Sequence, residues 1–127
     1  MERNTHEVYC SLETSKLLEQ AGFDWDTEYV YVTVNGNTAV FPFWSTSWAL
    51  ICDECYVRPT LDVARRWLRE IKHEILQVEY SNVTNLYYAD CCSLNDWHEV
   101  GDKDGYNTYE SALEAGIKKC LEIIIKN

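Results

Sequence analysis

Cys52-Asp53-Glu54-Cys55 has the spacing of half a zinc site. Zinc would need four ligands converging tetrahedrally, with thiolate sulfurs about 2.3 Å from the metal. Cys91-Cys92 could supply a third ligand, and His73 or His98 a fourth. Adjacent residues of a strand point to opposite faces, so Cys91 and Cys92 do not ligate together easily. Cys52 and Cys55 are therefore the metal candidates, but ordinary reduced cysteines are the favoured reading. A redox pair of this spacing should open a helix directly after a strand. Here the next helix begins later, at Thr60. Cys10 lies near a helix start, where a thiol can be activated, but no partner can be named for it. His6, His73 and His98 fall in separate segments without ligand spacing. There is no phosphate-binding glycine loop, no serine elbow, no HExxH and no GxGxxG. No catalytic residue and no cofactor follows from this inventory.

Two groups of residues suit binding instead. Trp44, Trp48 and Tyr56 lie in a run of apolar residues with no clean period. Long irregular connections of this kind often carry function, although such aromatics more commonly cover one end of a core. The second group is basic. Five of the eleven Lys and Arg residues, Arg58, Arg65, Arg66, Arg69 and Lys72, fall within one short stretch. Arg65, Arg69 and Lys72 form a line that could meet a phosphate or carboxylate through planar or point-charge donors. A solvated helix face is the commoner meaning of such a line.

The elements that must position these residues are readable in outline. Thr60 suits an N-cap, Pro59 blocks backward extension, and Leu61, Ala64, Trp67 or Leu68, and Ile71 recur at helical spacing. On that helix Asp62, Arg66 and Glu70 share a line and can pair for about 0.2–0.5 kcal/mol each. Ser11 caps a first helix over 11–21, closed by Gly22 and Phe23. Thr108 caps a last helix whose wide apolar stripe runs from Tyr109 through Leu113, Ile117 and Leu121 to Ile124. Residues 28–43 predict a hairpin about Asn35-Gly36, the pair favoured at a type I′ turn. Pro42 cannot donate to a ladder, so the returning strand lies at an edge or bends there. Glu74–Tyr80 alternates as a half-buried strand, with Leu76, Val78 and Tyr80 on one face, and 86–92 and 97–100 follow as strands. The three helix starts at 11, 60 and 108 look alike, which suggests a duplicated unit, although capped helix starts commonly look like this.

The chain has 127 residues and a net charge of −10. That is one domain, long enough to bury roughly two-thirds of its unfolded surface. The acidity argues against binding nucleic-acid backbone, which needs a basic footprint. No apolar run approaches the ~18 residues that span a membrane, and the N-terminus shows no signal-peptide core. A cytoplasmic protein with six reduced cysteines is the expectation. Nine Tyr and five Trp suit an interface, because they bury much area at low entropy cost.

Three segments carry a resemblance: Val8-Tyr9-Cys10-Ser11 to Gly22-Phe23-Asp24, Arg58-Pro59-Thr60-Leu61 to Arg69-Glu70, and Tyr106-Asn107-Thr108-Tyr109-Glu110-Ser111-Ala112-Leu113-Glu114-Ala115-Gly116. They resemble small uncharacterised proteins of gut Bacteroides-type bacteria and their phages. The resemblance implies a protein of phage or mobile-element origin and supplies no activity. Neither the CxxC segment nor the first hairpin shares in it. The expected fold is α+β, helix–hairpin–helix–hairpin–helix, with the helices on a mostly antiparallel sheet. The expected function is non-enzymatic protein binding through the Trp44–Tyr56 segment, with Trp44, Trp48 and Tyr56, and through the basic face of the central helix, with Arg58, Arg65, Arg69 and Lys72; self-association is a further outcome. A small anionic ligand held by Arg65, Arg69 and Lys72 is the alternative.

Overall fold

Three capped helices punctuate the chain, and the strands fall between them. The computed structural model describes residues 8–44, 52–93, 99–101 and 104–126. Helix α1 (Leu12–Ala21) begins where the Ser11 hydroxyl accepts from the Thr14 N–H at 3.2 Å. It ends at Gly22, whose φ of 99° is the left-handed conformation that glycine adopts without penalty. Helix α2 (Leu61–Ile71) starts at Thr60, whose Oγ1 accepts from the Val63 N–H at 3.2 Å. Helix α3 (Tyr109–Lys126) starts the same way, the Ser111 N–H donating to Thr108 Oγ1 at 3.1 Å.

Strands β1 (Tyr29–Val34), β2 (Asn37–Pro42) and β3 (Glu54–Val57) form one antiparallel sheet in the order β2-β1-β3. Asn35 and Gly36 make the β1–β2 turn with φ of 53° and 82°, as a type I′ turn requires. Asp53 braces this turn by accepting from the Asn35 N–H at 2.9 Å. Strands β4 (Glu74–Ser81), β5 (Leu86–Ser93) and β6 (Glu99–Gly101) form a second antiparallel sheet in the order β4-β5-β6. The α+β class thus holds, but the strands divide between two three-stranded sheets. Pro59 has no N–H with which to extend the first ladder, and α2 carries the chain away before β4 begins. The two sheets also differ in order. The third strand joins the first hairpin strand in one sheet and the second hairpin strand in the other, so similar helix starts do not extend to a repeated strand pattern.

The core lies where α3 meets β4 and β5, with α1 and α2 packed beside it. Leu113, Ile117, Cys120 and Leu121 of α3 are buried against Leu76 and Cys91, together with Leu18 of α1 and Trp67 and Leu68 of α2. Gly116 allows this approach. A Cβ there would lie 2.8 Å from both the Ala89 Cβ and the Leu76 Cδ1. Along β4, Leu76 is buried and Val78 touches the core, but Tyr80 is 52% exposed. The strand runs on past the helices that would cover it. No helix among the described residues is long and apolar enough to cross a membrane.

Candidate interaction surface

The end of β3 sets the site. Pro59 pushes Arg58 into extended backbone, and the Arg58 N–H donates to the Tyr29 carbonyl at 3.0 Å. Arg58 then shares a face of the sheet with Tyr56, which pairs with Tyr31 across β1–β3. Its guanidinium carbon sits 4.1 Å from the Tyr9 ring centre and 5.5 Å from that of Tyr31. Such stacking contributes about 0.5–2 kcal/mol, more where water is excluded. Tyr9 meets Tyr29 edge-on at 5.8 Å. Tyr31 Oη donates to the Cys10 carbonyl at 2.5 Å. The N-terminal segment is laid along this layer by two backbone bonds, Cys10 N–H to the Pro59 carbonyl and Leu61 N–H to the Val8 carbonyl, each 2.9 Å. A tyrosine–arginine layer therefore joins the first sheet to the chain entering α1. The Arg58 Nε is buried and has no hydrogen-bond partner among the described residues.

Beyond that layer the surface opens. Trp44 is 79% exposed, Phe43 47% and Val40 44%, all at or just after the outer strand β2. Phe43 is held by its N–H, which donates to the Glu28 carbonyl at 2.8 Å. A cleft of about 390 Å³ runs between Pro42, Phe43 and Trp44 on one side and Thr27, Glu28 and Tyr29 on the other. A second cleft of about 250 Å³ shares Thr27 and Glu28 and continues past Asp26 to Tyr9, Arg58 and Thr60. Among the described residues β2 pairs only with β1, and its other edge has no strand partner there. The surface thus offers an apolar aromatic shelf, a strand edge unpaired among the described residues, and the carboxylates of Asp26 and Glu28.

The residues singled out in the sequence separate in space. Trp44 and Arg58 belong to this surface. Tyr56 faces α1, with Lys16 Nζ 5.6 Å above its ring. Burial and then the Glu54 carboxylate push its hydroxyl up from the usual tyrosine range. Trp48, His6 and His98 lie outside the described residues. The basic line on α2 is largely engaged. Arg65 donates to the Leu76 carbonyl through Nε at 3.1 Å and Nη2 at 2.9 Å, and to Tyr109 Oη at 2.9 Å. Arg69 approaches Glu70 at 3.6 Å, as does Arg66, the expected pair four residues apart. Arg66 also covers the Trp25 ring at 5.1 Å, and Lys72 lies 5.6 Å from the Trp67 ring centre. Arg65 therefore reaches across to β4 and α3, while Arg69 and Lys72 meet neighbours on α2 itself, so the three do not share one set of contacts.

The cysteines separate as well. Cys10 is fully buried, and burial, reinforced by the Glu114 charge and opposed by Arg58, pushes its thiol far up. It is a core residue and not an activated nucleophile. Cys55, on β3 of the first sheet, is also pushed up, by burial first and then by Cys52 and Glu19. Cys52 and Cys55 are half-buried free thiols. Among the described residues the one group of three metal-type ligands that converges is Glu74, Cys91 and Cys120. The expectation of six reduced cysteines is corrected here, because Cys91 and Cys120 are joined as a disulfide. Cys91 points inward from β5 and Cys120 lies on the buried stripe of α3, so their Cα atoms come within 6.5 Å. The alternation that separates Cys91 from Cys92 and the stripe on α3 were the available signals, but nothing local paired them. Glu114 was missed as well. From α3 it accepts the Ser11 N–H and the Thr14 hydroxyl, each at 2.7 Å, and so caps α1 from another helix.

No family model, no curated protein and no solved structure matches the chain.

Proposed function

We propose that the chain is a non-enzymatic protein-interaction module, of the phage or mobile-element type that its three helix segments resemble, acting in the cytoplasm. The observation that carries this reading is the exposed shelf of Phe43 and Trp44 beside β2, whose outer edge pairs with no strand among the described residues. Apolar surface of this kind on a strand edge suits a partner that adds an extended segment and seats side chains in the adjoining clefts. Asp26 and Glu28, on a chain of net charge −10, favour a segment that carries Lys or Arg beside an apolar residue. Self-association through the same edge is the competing use of this surface.

The alternative, a small anionic ligand on α2, has less support. The Arg65 guanidinium is committed to Leu76 and Tyr109, and Arg69 faces Glu70.

Panning a random peptide library on the immobilised protein tests the reading. Enrichment of peptides with an apolar residue next to Lys or Arg is expected, and it should vanish with Phe43→Ser plus Trp44→Ala. Peptides that bind the double variant equally well would place the interaction elsewhere. Sedimentation of the wild type shows whether a second copy takes the edge first.

A further inference from the structure

One side-chain cluster plays no part in the interaction surface. Glu74 opens β4, Cys91 lies near the end of β5, and Cys120 projects from α3, with exposures of 7%, 2% and 1%. Glu74 Oε1 is 3.3 Å from Cys91 Sγ, and the ligand atoms of all three residues lie within 4.8 Å of one another. A disulfide sulfur carries no hydrogen, so it cannot donate to this carboxylate. A thiol can. A buried polar group without a partner is costly, and a disulfide serving only as a staple has no use for a carboxyl group against its sulfur. The cluster is therefore furnished for two states: the sulfurs bond to each other in one, and the Cys91 S–H donates to Glu74 in the other.

We propose that Glu74, Cys91 and Cys120 form a reversible redox site, a dithiol that closes to a disulfide against a small disulfide oxidant such as oxidised glutathione, with Glu74 as the proton acceptor for Cys91. In the first step Glu74 Oε1 takes the Cys91 proton and the Cys91 sulfur attacks one sulfur of the oxidant. The oxidant's S–S bond breaks, and its electron pair leaves on the other sulfur, which collects the proton from Glu74. In the second step the Cys120 sulfur attacks Cys91 Sγ in the mixed disulfide. The second small thiol leaves with the Cys120 proton. Two protein thiols are oxidised, one small disulfide is reduced to two thiols, and Glu74 ends as it began. Both sulfurs are buried, so exchange requires the end of α3 beyond Gly116 to lift from β4 and β5. The closed bond then clasps α3 to the second sheet.

The test is a redox titration of the full chain in mixtures of reduced and oxidised glutathione. Samples are acid-quenched, unfolded, alkylated and weighed. The expected result is one reversible transition of two thiols, mapped by peptide mass to Cys91 and Cys120, with the near-ultraviolet circular dichroism of a folded protein on both sides. Glu74→Gln should slow closure about a hundredfold or more, the scale of a lost proton acceptor. Cys52→Ser plus Cys55→Ser should leave it unmoved. Should Glu74→Gln fail to fold, Glu74→Asp carries the same measurement and should also slow closure. The proposal is overturned by any of four results: no two-thiol transition, unfolding on reduction, closure at the wild-type rate in the foldable Glu74 variant, or a metal ion retained in the native mass that blocks alkylation of both cysteines.

Discussion

The two sheets are made of the same parts, a hairpin and one more antiparallel strand, yet they are fastened to the helices by different physics. The second sheet is held mainly by apolar contact, to which the Cys91–Cys120 disulfide and the bonds from Arg65 to the Leu76 carbonyl add. Leu76, Ala89 and Cys91 meet α3 so closely that position 116 has room only for glycine. The first sheet buries Val30 and Val32 on one face, and on the other it turns Tyr31 and Tyr56 towards the N-terminal segment and α1, with Arg58 over the rings of Tyr9 and Tyr31. Close apolar packing tolerates little change, because lost contacts and surplus atoms both cost free energy. A layer of stacked rings and hydrogen bonds leaves polar atoms near the surface and clefts between them. The same chain thus separates a half that secures stability from a half that can present a surface.

The largest expected effect tests the stable half. Ile117→Ala removes a fully buried side chain between α3 and the second sheet. It should cost about 2–5 kcal/mol in urea denaturation. Val40→Ala, on the outer strand of the first sheet and 44% exposed, should stay within about 0.5 kcal/mol. Comparable costs at the two positions would abolish the distinction.

Gly116→Ala sharpens it. The new methyl would stand 2.8 Å from the Ala89 Cβ, which is tied to the backbone of β5 and cannot swing aside. Overpacking of this kind costs about 1–3 kcal/mol. Better helix propensity returns up to about 1 kcal/mol. The net change should be a lowered thermal midpoint, and a raised midpoint would show that α3 does not approach the sheet so closely. Tyr31→Phe makes the matching change in the polar layer. It deletes one hydrogen bond to the Cys10 carbonyl and should cost about 1 kcal/mol. Hydrogen exchange of the first sheet should rise, and that of β4 and β5 should not.

The sequence was most readable where the cause is local. Ser11, Thr60 and Thr108 cap their helices because a short hydroxyl side chain reaches the free N–H three residues on. Asn35-Gly36 turns because both residues tolerate positive φ. Pro42 marks the edge strand because it lacks a donor. What escaped was long-range. Nothing near Arg65 says that it will reach the Leu76 carbonyl instead of solvent. Nothing near Cys91 names Cys120, and although the alternation of β4 puts Glu74 on the face of Leu76, nothing local says what it meets there. On the candidate surface, Trp44 and Arg58 stood out by residue type, whereas only the fold sets Glu28 beside Phe43 and Asp26 beside Arg58.

The smallest expected effect comes from a polar clip inside the stable half. Lys118 Nζ lies 2.7 Å from Glu13 Oε1 and ties α3 to α1. The hydrogen bond from Lys118, and then its charge, hold the Glu13 carboxyl below the usual glutamate range. The Lys118 ammonium is raised, chiefly by its bond to Glu13. A lowered carboxyl value favours the folded state above the ordinary glutamate range, and that gain fades as pH falls through the lowered value. A raised ammonium value acts below the ordinary lysine range and fades as pH rises through the raised one. The clip should therefore act across the neutral region and weaken at either extreme. Glu13 is well exposed, so water and salt screen the pair and its share of stability is slight. The thermal midpoint of Glu13→Gln should sit just below that of the wild type at neutral pH and converge with it on acidification or in high salt. A gap that persists in strong acid and salt would mean that Glu13 supports α1 by packing, and the contrast between apolar and polar fastening would then need redrawing on the stable side.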